Sequence, residues 1–437
     1  MNEQNRQTRI ETVWERSEQQ KPRCKFGEDG LCCDHCFMGP CRINPSGKKF
    51  QKGVCGASAE IIVARNFARM IASGASAHAD HGRQVAKMLL LAAKSGEYGY
   101  SIKDVNKLKK VAGVMGVSTA DRAEEEIAIE VAEKALEDFG KQEGEISFVK
   151  LAPESRQAVW RQLHVVPRGI DREIVEMMHR TTMGVDHDYR NIILHGARTA
   201  LADGWGGSMI ATELQDILFG NPSPIRGQVN LGVLSEKDVN IVLHGHEPML
   251  SEMLVLAVQD QELVSLAKSV GAAGINLAGI CCTANEILLR HGVPIAGNIL
   301  QQELAINTGA IEAMIVDVQC IMPSLLEICK YYHTHLITTS SKGKIEGAKH
   351  IEFSGENALQ SAKEIIREAI SNFPNRGQVD IPKEKMDLIA GFSHEAITYM
   401  LGGKYRGSYA PLNDNVINGR IKGVAAVVGC NNPKVSY

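Results

Sequence analysis

Long apolar runs are missing from these 437 residues. The longest, such as MLLLAA (88–93) and VAAVVG (424–429), fall far short of the roughly 20 apolar residues a bilayer span needs. The opening stretch MNEQNRQTRIETVWERSEQQK is polar and holds no apolar core, so no secretory leader is expected. An excess of one charge is missing too. The formal net charge is −3 with 23% charged residues, which offers no electrostatic footprint for nucleic acid or an acidic membrane surface. Aromatics are scarce at 5% and do not interleave with basic residues as in single-strand binders. Repeats and low-complexity tracts are absent. The expectation is a soluble cytoplasmic protein with no membrane span and no nucleic-acid partner. In that compartment disulfides are rare, so eleven cysteines point to metal or catalysis.

Three regions separate by pattern. Helical signals dominate to about residue 222. In RAEEEIAIEVAEKALEDFG (122–140), Ile127, Val131, Ala135 and Phe139 recur at helical spacing, acids crowd the first turn and Gly140 ends the run. The turn-rich GNPSPIRGQ (220–228) breaks the pattern. Beyond it, VNIVLH (239–244), INLAGI (275–280), MIVDV (314–318) and LITTS (336–340) read as buried strands, with EMLVLAVQDQELVSLAKS (252–269) as a crossover helix. This alternation predicts a parallel sheet covered by helices. A second polar break, NFPNRGQVDIPKEK (372–385), precedes another helix-then-strand unit ending in VAAVVG.

What is abundant is clustered cysteine. Cys33, Cys36, Cys41 and Cys55 are spaced C-x2-C-x4-C-x13-C among glycines and prolines. Four thiolates suit a [4Fe–4S] cube, one per iron. Tetrahedral zinc usually takes two close cysteine pairs, and the second pair is missing here, so the spacing favours iron–sulfur. Cys24 and Cys32, spaced C-x7-C, cannot complete a cluster alone. They read equally as structural thiols or as half of a site completed by a second copy of the chain.

A second set is dispersed. HGHEP (244–248), ICCTANE (280–286), VQCIMPS (318–324) and GCNNP (429–433) each follow an expected strand. His244, His246, Cys281, Cys282, Cys320 and Cys430 would then lie past the carboxyl ends of parallel strands, where open α/β sheets place ligands. One such thiol is usually a buried small hydrophobe, but four segments each offering a sulfur or imidazole point to a shared metal site. Cys329, in the helical stretch LLEICKYY, reads as core. His78 and His81 share a helix face with Gln84 and Lys87; alone they read as a solvated face, beside a redox site as proton carriers.

Taken together, Cys24-x7-Cys32-Cys33-x2-Cys36-x4-Cys41-x13-Cys55, HGHEP, GICCTANE, DVQCIMPS and GCNNPK resemble the catalytic subunit of anaerobic nickel–iron carbon monoxide dehydrogenases. GVDHDYRNIILHGARTALADGWGGSMIATELQDILFG (184–220) is similar to that family as well. The resemblance implies that Cys33, Cys36, Cys41 and Cys55 hold a [4Fe–4S] cluster within one subunit. Cys24 and Cys32 would share another across a homodimer interface. His246, Cys282, Cys320 and Cys430 would hold a Ni–Fe–S active cluster, with Cys281 beside it and His246 preferred to His244. His78 would be the near base and His81 the next proton carrier. The implied reaction takes CO and water to CO2, two protons and two electrons. The implied electron partner is a ferredoxin-type acceptor; the resemblance leaves open whether the subunit works alone or with an acetyl-CoA synthase.

The expected architecture is a multidomain α/β chain. An all-helical domain with the cysteine loop covers 1–222, a Rossmann-like parallel α/β domain carrying active-cluster ligands covers 223–371, and the start of a second α/β domain covers 372–437. Two departures from the family stand out. Its histidine ladder tends to continue where this chain has Gln84 and Lys87. Its further domain, with another iron–sulfur cysteine, the nickel cysteine and an acid–base lysine, has no counterpart before Tyr437, so a truncated chain is expected. A non-catalytic electron-transfer or scaffold protein without the nickel site is the alternative.

Overall fold

The computed structural model describes residues 10–95 and 101–434. The chain divides into two compact units. One is Gln20–Phe219; the other joins the chain up to Gln19 with the chain from Gly220 onward.

The first unit is built on one helix, Ala59–Ser95. Its buried stripe is small: Ala64, Ala68, Ala72, Ala75, Ala79, Gly82 and Ala86, at three- and four-residue intervals. Small residues on one face let other helices approach closely. Helices Glu124–Gly140, Tyr189–Ala202 and Ser208–Phe219 all pack against it. The approach is tightest at Gly82, where a Cβ would come within 2.5 Å of the Gly207 carbonyl. Glu124–Gly140 buries Ile127, Val131, Ala135 and Phe139 as expected, and its first three residues are glutamates facing the positive end of the helix dipole. Between the last two helices, Asp203–Gly207 forms a π-helical turn, an interruption that recurs at functional sites. The cysteine loop adds a two-residue ladder, β1 (Cys32–Cys33) and β2 (Cys41–Arg42), antiparallel.

The second unit is one eight-stranded sheet. Its strands are β3 (Ile225–Val229), β4 (Val239–Gly245), β5 (Ile275–Ile280), β6 (Ile295–Gly297), β7 (Ile311–Val316), β8 (His335–Thr338), β9 (Lys349–His350) and β10 (Met386–Ala390). They lie in the order β10-β3-β6-β5-β4-β7-β8-β9. Strands β3 to β9 are parallel and β10 is antiparallel. Every residue of β4 and β7 is buried, as strands covered on both faces require. The chain moves one way from β4 through β5 to β6, then returns to the far side of β4 with β7. The reversal point of such a doubly wound sheet, here between β4 and β7, is a crevice for ligands.

Three placements differ from the sequence reading. The expected crossover helix 252–269 is two helices, Pro248–Ala257 and Gln261–Ser269. The break is set by Asp260, whose carboxylate accepts the Glu262 N–H at 2.8 Å as an N-cap. VAAVVG is not a strand: the residues around Val424, Val427 and Val428 are exposed and pair with none of the described strands. The strand that does form after residue 372 is β10, which pairs with β3 and so gives this same sheet an edge. Residues 10–19 also leave the helical region, because Ile10 is buried in the sheet unit's core cluster beside residues such as Leu234 and Leu325.

Candidate metal centres

In the helical unit, the β1–β2 ladder sets Cys33 directly across from Cys41. Adjacent strand residues point to opposite faces, so Cys33 turns inward and is buried while Cys32 is exposed. One cluster therefore cannot readily take both. Cys36 and Cys41 are half-buried, and the Gly39 N–H donates to the Cys36 carbonyl at 3.1 Å to close the turn between them. Cys33, Cys36 and Cys41 lie close enough to affect one another: burial pushes the Cys33 thiol up, and both neighbours add to that. The Val54 N–H faces the Cys41 sulfur at 3.4 Å, a backbone donor to sulfur of the kind that tunes iron–sulfur clusters. Cys55, next in the chain, is exposed, as are Cys24 and Cys32. Asn66 ties the loop to the long helix, donating to the carbonyls of Gly30 at 2.9 Å and Cys32 at 2.8 Å, and lies 2.9 Å from His35 Nε2.

In the sheet unit, β4, β5 and β7 deliver the dispersed set except Cys430, which follows no described strand. The His246 ring hydrogen-bonds the thiols of Cys282 and Cys320. Burial pulls its pKa down, but the two sulfurs outweigh this and raise it to about 10. Cys320 accepts from Cys281 and then from His246, and against burial its thiol is lowered to about 4. Cys281 moves the other way, raised by its hydrogen bond to Cys320 and by burial. Cys430 lies within electrostatic reach of Cys282 and Cys320; burial and those two thiols raise it. Cys281, Gln319 and Cys320 all have left-handed backbone, with φ of 64°, 65° and 63°. Such conformations cost non-glycine residues energy and gather at functional sites.

A second layer holds these donors. The buried Asp317 carboxylate accepts the N–H groups of His246 at 2.7 Å, Glu247 at 3.0 Å and its own neighbour Val318, with the Thr283 hydroxyl at 3.3 Å. Burial raises Asp317 to about 6 against these three donors. The close approach depends on Gly245, where a Cβ would fall 1.7 Å from Asp317 Oδ1. His244 is fully buried within β4, and its Nε2 lies 2.9 Å from Gln302 Oε1 and 3.1 Å from the Cys320 carbonyl. It faces the support of the Cys320 loop, whereas the His246 ring faces the thiols.

On the long helix, His78 Nδ1 lies 2.8 Å from Asp203 Oδ1, and the Ser208 hydroxyl donates to the same oxygen at 2.9 Å. His81 Nε2 lies 2.8 Å from Gln215 Nε2. Both partners come from the π-helical turn and the helix after it.

The structure thus gathers His246, Cys281, Cys282, Cys320 and Cys430 in one unit, and Cys33, Cys36 and Cys41 in the other. Sequence reasoning missed Asp317, Gln302, Asn66 and Asp203, since nothing local marks an aspartate or glutamine that acts on a distant loop. All eleven cysteines are free thiols. Among the described residues, no three His, Cys, Asp or Glu side chains are arranged to hold one metal ion. Sulfur with one imidazole is a donor set that fits iron–sulfur and nickel chemistry.

Comparisons with known proteins agree. Residues 31–437 match the model of the prismane/CO dehydrogenase family. The chain is 57% identical over 431 residues to carbon monoxide dehydrogenase 1 of Methanosarcina mazei, covering 98% of this chain and 68% of that one. It is 45% identical over 434 residues to the carbon monoxide dehydrogenase/acetyl-CoA synthase subunit beta of Moorella thermoacetica, covering 98% and 64%. The as-isolated, nickel-free crystal structure of carbon monoxide dehydrogenase from Thermococcus sp. AM4 superposes with a TM-score of 0.96 at 52% identity, covering 99% of this chain and 68% of that one.

Proposed function

Because the chain belongs to the prismane/CO dehydrogenase family, we propose that it is the catalytic subunit of an anaerobic carbon monoxide dehydrogenase. As an oxidoreductase it would convert CO and water to CO2, two protons and two electrons. The observation that carries this reading is the meeting of His246, Cys282, Cys320 and Cys430 beside the crevice between β4 and β7. His246 and Cys282 would hold the unique iron and Cys320 and Cys430 the iron–sulfur part of a nickel–iron–sulfur cluster, which when bound supplies redox and Lewis-acid chemistry.

The chain's own residues do the rest. Asp317 fixes the backbone at His246 and Val318 and so sets the approach of β4's end to β7's end. Cys281, hydrogen-bonded to Cys320, would stand beside the cluster as a close neighbour. Asp203 accepts from His78 Nδ1, which makes Nε2 the basic nitrogen that takes up or hands on a proton; His81, three residues on, is the next carrier. Cys33, Cys36, Cys41 and Cys55 would hold a [4Fe–4S] cluster, and exposed Cys24 and Cys32 would share one with a second copy in a homodimer. Electron transfer to a ferredoxin-type acceptor is what those clusters would add. Association with an acetyl-CoA synthase follows the Moorella thermoacetica relative.

The test is anaerobic. Nickel- and iron-loaded protein should reduce a viologen dye when CO is supplied. Protein with stoichiometric nickel and no CO-dependent reduction would overturn the assignment.

A further inference from the structure

The loop that carries Cys320 is held by two adjacent buried residues. Gln302 donates to the carbonyls of Cys320 at 3.0 Å and Ile299 at 2.6 Å, and its Oε1 accepts the Met322 N–H at 2.9 Å. Its neighbour Glu303, also fully buried, accepts the Val13 N–H at 2.7 Å, the Ser324 hydroxyl and the Arg16 guanidinium. Arg16 reaches further, donating to Ser324 Oγ at 3.3 Å and lying 3.9 Å from Met322 Sδ. Residues 320, 322 and 324 are therefore gripped at successive points, the last two with help from a helix, Val13–Gln19, some 300 positions earlier in the chain. Ile10 anchors that segment in the core cluster that also contains Ile306 and Leu325. The grip has a task, because Gln319 and Cys320 occupy left-handed backbone that the loop would relax if released.

We propose that Arg16 is a positioning residue: through Glu303 and Ser324 it clamps the 318–324 loop and presents the Cys320 sulfur to the cluster. The proposal rests on the assignment of Cys320 as a cluster ligand. A buried carboxylate that loses its cation is left uncompensated, so Glu303 must shift when Arg16 is removed, and its hold on Ser324 loosens.

The experiment compares Arg16→Ala and Arg16→Lys in the full chain. In metal-free protein, hydrogen exchange over 318–324 should quicken about tenfold in Arg16→Ala, with β7 itself unchanged and Arg16→Lys restoring most of the protection. In iron-loaded Arg16→Ala protein, the EPR signal of the strand-end cluster should weaken or change shape while that of the cysteine-loop cluster stays. Ser324→Ala, a milder change, should show the same pattern at smaller amplitude. Unchanged exchange over 318–324 would overturn the clamp, and exchange quickened equally across the whole sheet unit would reduce Arg16 to a general stabiliser. Quickened loop exchange with an unchanged strand-end signal would overturn the assignment of Cys320 as a ligand.

Discussion

The two cysteine sets are assembled in opposite ways. Cys33, Cys36, Cys41 and Cys55 lie in a short stretch, and a two-residue ladder with a glycine turn is enough to gather three of them. His246, Cys282, Cys320 and Cys430 are spread over nearly half the chain, and those from β4, β5 and β7 meet only once the parallel sheet has formed. The first set needs a loop; the second needs a fold. The difference shows in the chemistry. In the loop, burial raises the Cys33 thiol. In the sheet, donation from Cys281 and His246 drives Cys320 down to about 4, Cys281 is raised as the donor, and three residues hold left-handed backbone. The dispersed site concentrates left-handed backbone at its cysteines and polarises sulfur, as the proposed place of reaction would require.

Four substitutions test that contrast. Cys320→Ser should have the largest effect, removing CO-dependent dye reduction by more than the roughly hundredfold that an outer-shell change costs, while iron in the cysteine loop is retained. Retained activity would erase the distinction between the sites. Glu173→Gln probes the loop's scaffold. Glu173 is fully buried and bonded to Arg168 at 2.9 Å and His195 at 3.0 Å. Losing its charge should destabilise the helical unit by roughly 1–3 kcal/mol in thermal melts, since its buried charged bonds weaken while Arg168 keeps Glu176 at 2.7 Å. Burial pushes this carboxyl up, but the bonds from His195 and Arg168 outweigh it and hold it at about 2, below its ordinary 4.5. Its contribution is therefore fully present above pH 4.5 and lost as pH falls towards 2. Wild-type melting temperature should drop across that window, and the drop should shrink in Glu173→Gln.

Asp203→Asn should cost less, about tenfold in turnover with a displaced pH profile and unchanged iron, because the carboxylate orients His78 and holds no metal. An unaltered pH profile would take His78 out of proton transfer. The smallest expected effect on the sheet site comes from Cys24→Ser with Cys32→Ser. About one cluster's iron per dimer should be lost and dimerisation weakened, with the strand-end signal intact. Unchanged iron would make these thiols structural.

What was legible in the sequence divides along the same line. The cysteine loop could be read from spacing, and β4 and β5 from β-branched runs bounded by polar turns, because those signals are local. The donors past the strand ends could be placed once a parallel sheet was inferred. Asp317, Gln302 and Asp203 could not, since each acts on a backbone or ring far away in sequence and nothing in its neighbours marks it. VAAVVG misled because an apolar β-branched run needs an edge to pair with, and among the described residues it has none. The docking of residues 10–19 on the sheet unit escaped notice because it depends on one isoleucine and one arginine meeting a buried glutamate.

Anomalous diffraction at the iron edge, from crystals grown without oxygen, tests the two-site assignment most directly. Two separate iron clusters within each chain are expected, one bounded by Cys33, Cys36, Cys41 and Cys55 and the other by His246, Cys282, Cys320 and Cys430. Iron in the cysteine loop alone, with none within bonding distance of Cys320 or His246, would contradict it.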